Sequence, residues 1–181
     1  MKKNKQSKYH TYKRGQIIMA NFTPSIGSEL RGQHFAIVLT KKDSPKNGVL
    51  TVIPLSSKKK SYYLDIGNIV GKQVLPVLLK NADEIQLILQ ELENNALTLN
   101  EDDVNKMNKT LKDFITLADS YVKKNKRSYA LVQNIITISK YRIKTPQSRY
   151  DPLKSLIIDD LLLDLIDKKI LELFVNTPHE S

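Results

Sequence analysis

The feature that most constrains this chain is a change of hydrophobic period at Asn81. Before it, apolar residues come in short β-branched runs: Gln16–Phe22 (QIIMANF), Phe35–Thr40 (FAIVLT) and Val49–Leu55 (VLTVIPL). Each run predicts a strand, and the unbroken apolar character of FAIVLT predicts one buried on both faces or set in a barrel wall. Turn formers separate the runs, at 23–28 (TPSIGS) and 43–48 (DSPKNG). Tyr62–Ile66 and Val74–Leu79 are weaker strand candidates, and Pro54 suggests a sheet edge or a bulge. From Asn81 the spacing turns helical. Asn81 and Glu84 stand at capping-box spacing, and Ile85, Ile88, Leu89 and Leu92 then share one face as far as Asn94-Asn95. Asn100 and Asp103 mark a second start, followed by a stripe of Val104, Met107, Leu111, Phe114, Ala118 and Tyr121. Strand pattern returns at Ser128–Val132 and Ile135–Ser139. Asp151-Pro152 then predicts the cap and first turn of a helix that runs to Phe174 along Leu153, Leu156, Ile157, Leu161, Leu165, Ile166 and Ile170. The fold class is α+β with a mainly β core, a small barrel or sandwich accompanied by helices.

The chain divides accordingly into a basic flexible arm (1–14), the first part of the β core (15–80), an acidic helical insert (81–125), and the last strands with a terminal helix (126–181). Charge follows the same borders. Residues 81–122 carry nine acids and three lysines, and residues 151–181 carry seven acids and three lysines. The rest of the chain therefore holds +20, twice the +10 of the whole. A body this basic suits a polyanion, most commonly nucleic acid, although lysines also serve simply to solubilise a surface. With no cysteine, disulfides, thiolate metal sites and a cysteine nucleophile are excluded, and three histidines leave little material for a metal site. No uninterrupted apolar stretch approaches the roughly 18 residues of a membrane span. The basic N-terminus has no apolar run behind it, so it does not read as a secretory signal, and the expected location is the cytoplasm.

Chemistry concentrates in Gly27–His34, GSELRGQH, between the first two strands. Glu29 is a proton acceptor, His34 a proton donor and Arg31 a permanent cation, the set needed for acid–base work on a phosphodiester. His34 is also the one histidine outside the terminal segments that hold His10 and His179. Ser56 and Ser57 end the third strand, where a hydroxyl can donate to a phosphate oxygen, and Lys58-Lys59-Lys60 can hold the flanking backbone. The alternative is a solvated loop and a common strand ending.

KRGQIIMANFTPSIGSELRGQHFAIVL followed by VLTVIPLSS resembles the N-terminal half of the MazF/PemK toxin family. The family's order is an Arg-Gly-Asp/Glu start, a first strand, a Pro-x-x-Gly-Ser-Glu loop, a Gly-x-Arg-Pro-apolar strand and a strand that ends in Leu-Thr. ALVQNIITISKYRI is similar to a later segment of that family through Asn134, Ile135, Thr137, Ile138 and Arg142. The resemblance implies an SH3-like β-barrel with flanking helices, usually a homodimer. It implies a metal-free, cofactor-free endoribonuclease that cuts single-stranded mRNA through attack of the ribose 2′-hydroxyl. A small acidic antitoxin would hold it in check. Two positions depart from the family. Its catalytic arginine falls at His34, and its threonine at the third strand's end falls at Ser56. Serine keeps the hydroxyl, whereas histidine exchanges a permanent cation for a titratable ring. The expected catalytic set is therefore His34 as general acid or base, Arg31 as the fixed charge, Ser56 and Glu29. The expected RNA contacts are Ser28, Ser57, Lys58, Lys59, Lys60, Gln133 and Asn134. The competing reading is a binding module on the same barrel that does not cut, either a CcdB-like gyrase poison or a nucleic-acid binder. A plain nucleic-acid binder is disfavoured by 7% aromatic content with no paired aromatics on the strands.

Overall fold

The computed structural model describes residues 9–27, 29–94, 100–144, 146 and 148–175. The chain forms two compact units. One takes in the residues up to Gly67 together with 127–145 and those from Ser155 on; the other takes in Asn68–Lys126 and Pro146–Lys154.

The first unit is an antiparallel sheet of six strands: β1 (Ile17–Asn21), β2 (Gln33–Val38), β3 (Val49–Ser56), β4 (Leu64–Asp65), β5 (Tyr129–Ala130) and β6 (Ile136–Ser139). The order is β1-β2-β3-β5-β4, and β6 also pairs with β3. β3 is the hub. One edge meets β2, with Ala36 opposite Pro54. The other edge meets β6 over Val49–Val52 and then β5 at Leu55 and Ser56. Pro54 sits inside this sheet rather than at its edge. Its carbonyl accepts from Leu131 N–H at 3.0 Å, so its missing donor faces the gap where residues 132–134 make a 3₁₀ turn between the two partner strands.

The apolar runs are buried on both faces of the sheet. Ile18, Ala20, Phe22, Ala36, Val38, Val52, Ile138 and Ile143 form a core on one face, closed by Tyr12 and Leu50. Ile17, Ile37 and Ile53, on the opposite face, are equally out of solvent. Each such side chain contributes about 1.5–3 kcal/mol of burial, which explains runs without polar alternation. The sheet is not a closed barrel. The outer edge of β1 has single bridges, Ala20 to Ile143 and Gln16 to Ile157, where closure would need a continuous ladder.

The terminal helix α3 (Asp160–Phe174) starts later than Asp151-Pro152 predicts. Asp159 is its cap, accepting from Leu162 N–H at 2.8 Å, and Leu156 and Ile157 are spent as extended backbone alongside β1. The stretch 1–14 also differs from a mobile arm over its second half. Tyr12 is buried, and Lys140 Nζ reaches the carbonyl of His10 at 2.9 Å. Residues 1–8 lie outside the described residues.

The second unit holds α1 (Leu75–Asn94) and α2 (Glu101–Val122), preceded by one π-helical turn at Val70–Val74. Val74–Leu79 is thus helical, not a strand. Pro76 directly follows that π-helical turn, in a helical run that is continuous from Ile69. Asn81 lies within α1 instead of capping it, its Nδ2 donating to the Tyr150 carbonyl at 2.8 Å. Asn100 does cap α2, accepting from Asp103 N–H at 2.9 Å. Buried Tyr121 donates its hydroxyl to Asp151 at 2.7 Å; burial first, and then that carboxylate, push the phenol's pKa strongly upward.

Candidate functional site

The loop from β1 to β2 carries the densest set of polar residues and is braced from within. Phe22 N–H donates to the Gly32 carbonyl at 2.8 Å, and Gly32 N–H donates to Thr23 Oγ1 at 3.1 Å. Gly32 holds φ at +89°, in the left-handed region that glycine occupies without strain. Glu29 closes an inner turn: its carboxylate accepts from Ile26 N–H at 2.9 Å, and its own N–H donates to the Ile26 carbonyl at 3.2 Å. Arg142, beyond β6, donates from Nη1 to the Thr23 carbonyl at 3.0 Å and so fastens the loop from its far side.

His34 stands near the start of β2, opposite Ala20. Its half-buried ring meets Phe22 edge to face, with centroids 6.3 Å apart. Nδ1 lies 3.2 Å from the Leu55 carbonyl and Nε2 lies 3.0 Å from the Arg31 carbonyl. A neutral imidazole has one N–H and can donate to only one of them, whereas an imidazolium serves both. In either form the ring links the loop to the end of β3. The β2–β3 ladder ends at Ala36–Pro54, and the His34 ring reaches the carbonyl of Leu55, next to Ser56, whose own ladder partner is Tyr129 of β5. Ser56 Oγ accepts from Lys58 N–H at 3.0 Å, which leaves its O–H able to donate outward. Exposed Ser57, Lys58, Lys59 and Lys60 follow directly, and the Arg31 side chain is exposed.

A groove of about 550 Å³ lies beside this cluster, lined by Glu29, Pro54, Gln133, Asn134, Thr137 and Arg142 among others. Of the residues that the sequence singled out, Glu29, Gln133 and Asn134 meet here. The His34 ring meets the backbone carbonyls of Arg31 and of Leu55, the neighbour of Ser56, at the adjoining ends of β2 and β3. Ser28 lies outside the described residues. Arg142 and Thr137 line the groove without having been expected as site residues. β6 puts Ile138 inward and Thr137 outward, where its hydroxyl meets Thr51 Oγ1 at 3.0 Å. That alternation, and the place of Thr137 and Arg142 in the segment that resembles the family, are the signals in the sequence that could have found them. Among the described residues, no group of three or more His, Asp and Glu side chains could hold a metal ion.

A sequence model of the PemK-like, MazF-like toxins of type II toxin–antitoxin systems matches residues 13–115, more than half of the chain. The chain belongs to this family. Toxins of the family are endoribonucleases paired with an antitoxin. The match spans β1 to β4, α1 and the first part of α2. The toxin is also similar to the crystal structure of MazF (Form-I) from Deinococcus radiodurans, at 15% identity and a TM-score of 0.46, with 91% of this chain and 96% of that one covered. No curated protein matches the sequence. Among the described residues, no helix of the toxin is long and apolar enough to cross a membrane.

Proposed function

We propose that this toxin cuts single-stranded RNA, without metal, by attack of a ribose 2′-hydroxyl on the neighbouring phosphate. The observation that carries the reading is the groove, where a carboxylate (Glu29), two amides (Gln133, Asn134) and a guanidinium (Arg142) converge beside Phe22, against which the His34 ring packs. The amides suit base edges and the guanidinium suits a phosphate. In the reaction, Glu29 takes the 2′-hydroxyl proton as the new O–P bond forms. His34 gives a proton to the departing 5′-oxygen as the old O–P bond breaks. Arg31 and the Ser56 hydroxyl stabilise the charge that builds on the non-bridging oxygens. The products are a 2′,3′-cyclic phosphate and a 5′-hydroxyl end, so atoms and protons balance with no co-reactant.

Both ring nitrogens of His34 already face acceptors, which supports a donor role: one backbone carbonyl gives way to the leaving oxygen. The same contacts favour a second reading, in which the ring only fastens the loop and the toxin binds RNA without cutting it. Incubation with a long, mostly unpaired RNA in EDTA, with mapping of the ends, separates the two. Cuts with 5′-hydroxyl ends support the first reading, and intact RNA in a stable complex supports the second. The working form is expected to be a homodimer countered by a small acidic antitoxin.

A further inference from the structure

We propose that Tyr62 and Tyr63, with Lys60 and Lys168 beside them, form a second subsite that stacks an unpaired base of the same RNA outside the cleavage groove. This rests on the RNA-cleaving reading above and names where a flanking nucleotide is held.

The turn after β3 delivers two aromatic rings directly behind the lysine run. Their centroids are 4.8 Å apart and their planes 78° apart, so the rings form a corner rather than a sandwich. A flat base can lie on one ring with its edge against the other, and every base has a π-face, so such a contact holds RNA without reading its sequence. Tyr62 is 45% exposed and accessible to a ligand. The ammonium of Lys60 stands 5.5 Å and 5.4 Å from the two ring centroids and so helps to fix the corner.

The corner opens on a cavity of about 320 Å³, whose far side is formed by Leu165, Lys168 and Lys169 of α3. Its two carboxylates are already matched. Asp65 accepts from Arg127 Nε, at 2.8 Å and 3.0 Å, and from Gly67 N–H at 2.9 Å, and Glu172 accepts from Lys169 Nζ at 2.9 Å. The charge left to meet a phosphate is positive. The position also fits one continuous strand of RNA. β4, which begins just after the tyrosines, and β3, which carries Pro54 of the groove, flank β5 on its two sides. The chain from Ser56 to Tyr62 can span no more than about 20 Å.

The test is binding of a 2′-O-methylated single-stranded oligonucleotide, which lacks the attacking hydroxyl and stays intact, followed by fluorescence anisotropy. Tyr62→Ala is expected to weaken binding about tenfold, the loss typical of one stacked base. Tyr62→Phe, which keeps the ring, stays within about twofold and shows that the loss is not a folding defect. The same comparison on an oligonucleotide with abasic flanking positions is expected to show no difference between wild type and Tyr62→Ala. Lys168→Ala is expected to lower the salt dependence of binding by about one unit of slope. If wild type and Tyr62→Ala bind the base-bearing oligonucleotide equally well, the stacking subsite is wrong and the cleavage reading stands. If wild type binds no single-stranded oligonucleotide at all, both fall.

Discussion

The ammonium of Lys140 lies 2.7 Å and 2.8 Å from the two carboxylate oxygens of Asp43, with both side chains out of solvent. The pair joins the start of a 3₁₀ turn at Lys140–Arg142 to the β2–β3 loop. Tyr12 N–H adds a bond to the same carboxylate at 2.9 Å, and the rings of Tyr9 and Tyr12 stand over the ammonium. Burial alone would raise the Asp43 pKa; the Lys140 ammonium and the N–H groups of Tyr12 and Ser44 outweigh it and hold the carboxyl below its ordinary value. A depressed folded-state pKa means that this stabilisation is complete above the unfolded carboxylate value, about 4, and is lost as pH falls through the lower folded value. Lys140→Met strands a buried charge and is expected to cost about 3–5 kcal/mol in urea unfolding at neutral pH. Asp43→Asn should flatten the fall of stability in acid. An unchanged acid limb in that variant would remove Asp43 from the account.

His34→Ala is expected to lower the cleavage rate by about 10²–10⁴-fold, the range of one proton-transferring group, while RNA binding changes little. His34→Arg restores the residue type of the family and replaces a titratable ring with a permanent cation. Its rate is expected to depend on pH differently from that of wild type, and superimposable pH–rate profiles would take the proton step away from His34.

Arg142→Ala removes both a groove cation and the bond to the Thr23 carbonyl. Binding of single-stranded RNA should weaken by about 1.5–3 kcal/mol, the scale of a charge-assisted hydrogen bond. Arg142→Lys keeps the charge but not the fork, so only partial recovery is expected in the same titration.

Two aspartates divide the work that the sequence assigned to one. Asp159→Ala removes the cap of α3 and should cost about 1 kcal/mol, seen as a lower unfolding midpoint. Asp151→Ala leaves the buried Tyr121 hydroxyl without its acceptor and should cost about 1–3 kcal/mol. A larger loss of α3 helicity from Asp151→Ala than from Asp159→Ala would reverse the assignment.

The strands β1 to β3 and the cap at Asn100 were legible because their signals are local: apolar runs between turn formers, and a side-chain acceptor three residues from its N–H. Val74–Leu79 was not. A short apolar run reads the same in a buried strand and in the first turns of a helix, and Pro76 suits either boundary. Ile157 looked helical by spacing, yet it bridges to Gln16, a partner far away in the sequence. The candidate site divides in the same way. The polar loop announced itself by composition, and the family resemblance marked Ser56. The two carbonyls against His34 come from backbone that no residue type reveals. Tyr62 and Tyr63 read only as the start of a weak strand, with no paired aromatics expected, whereas they lie in the turn before β4 with their rings edge to face.

The break in pairing opposite Pro54 has a further consequence. Residues 132–135 are pinned by β5 before them and β6 after them, yet owe the sheet no ladder of their own. Gln133 and Asn134 can therefore be exchanged for other polar side chains while the scaffold stays intact, so an altered target preference can evolve there without a matching repair elsewhere.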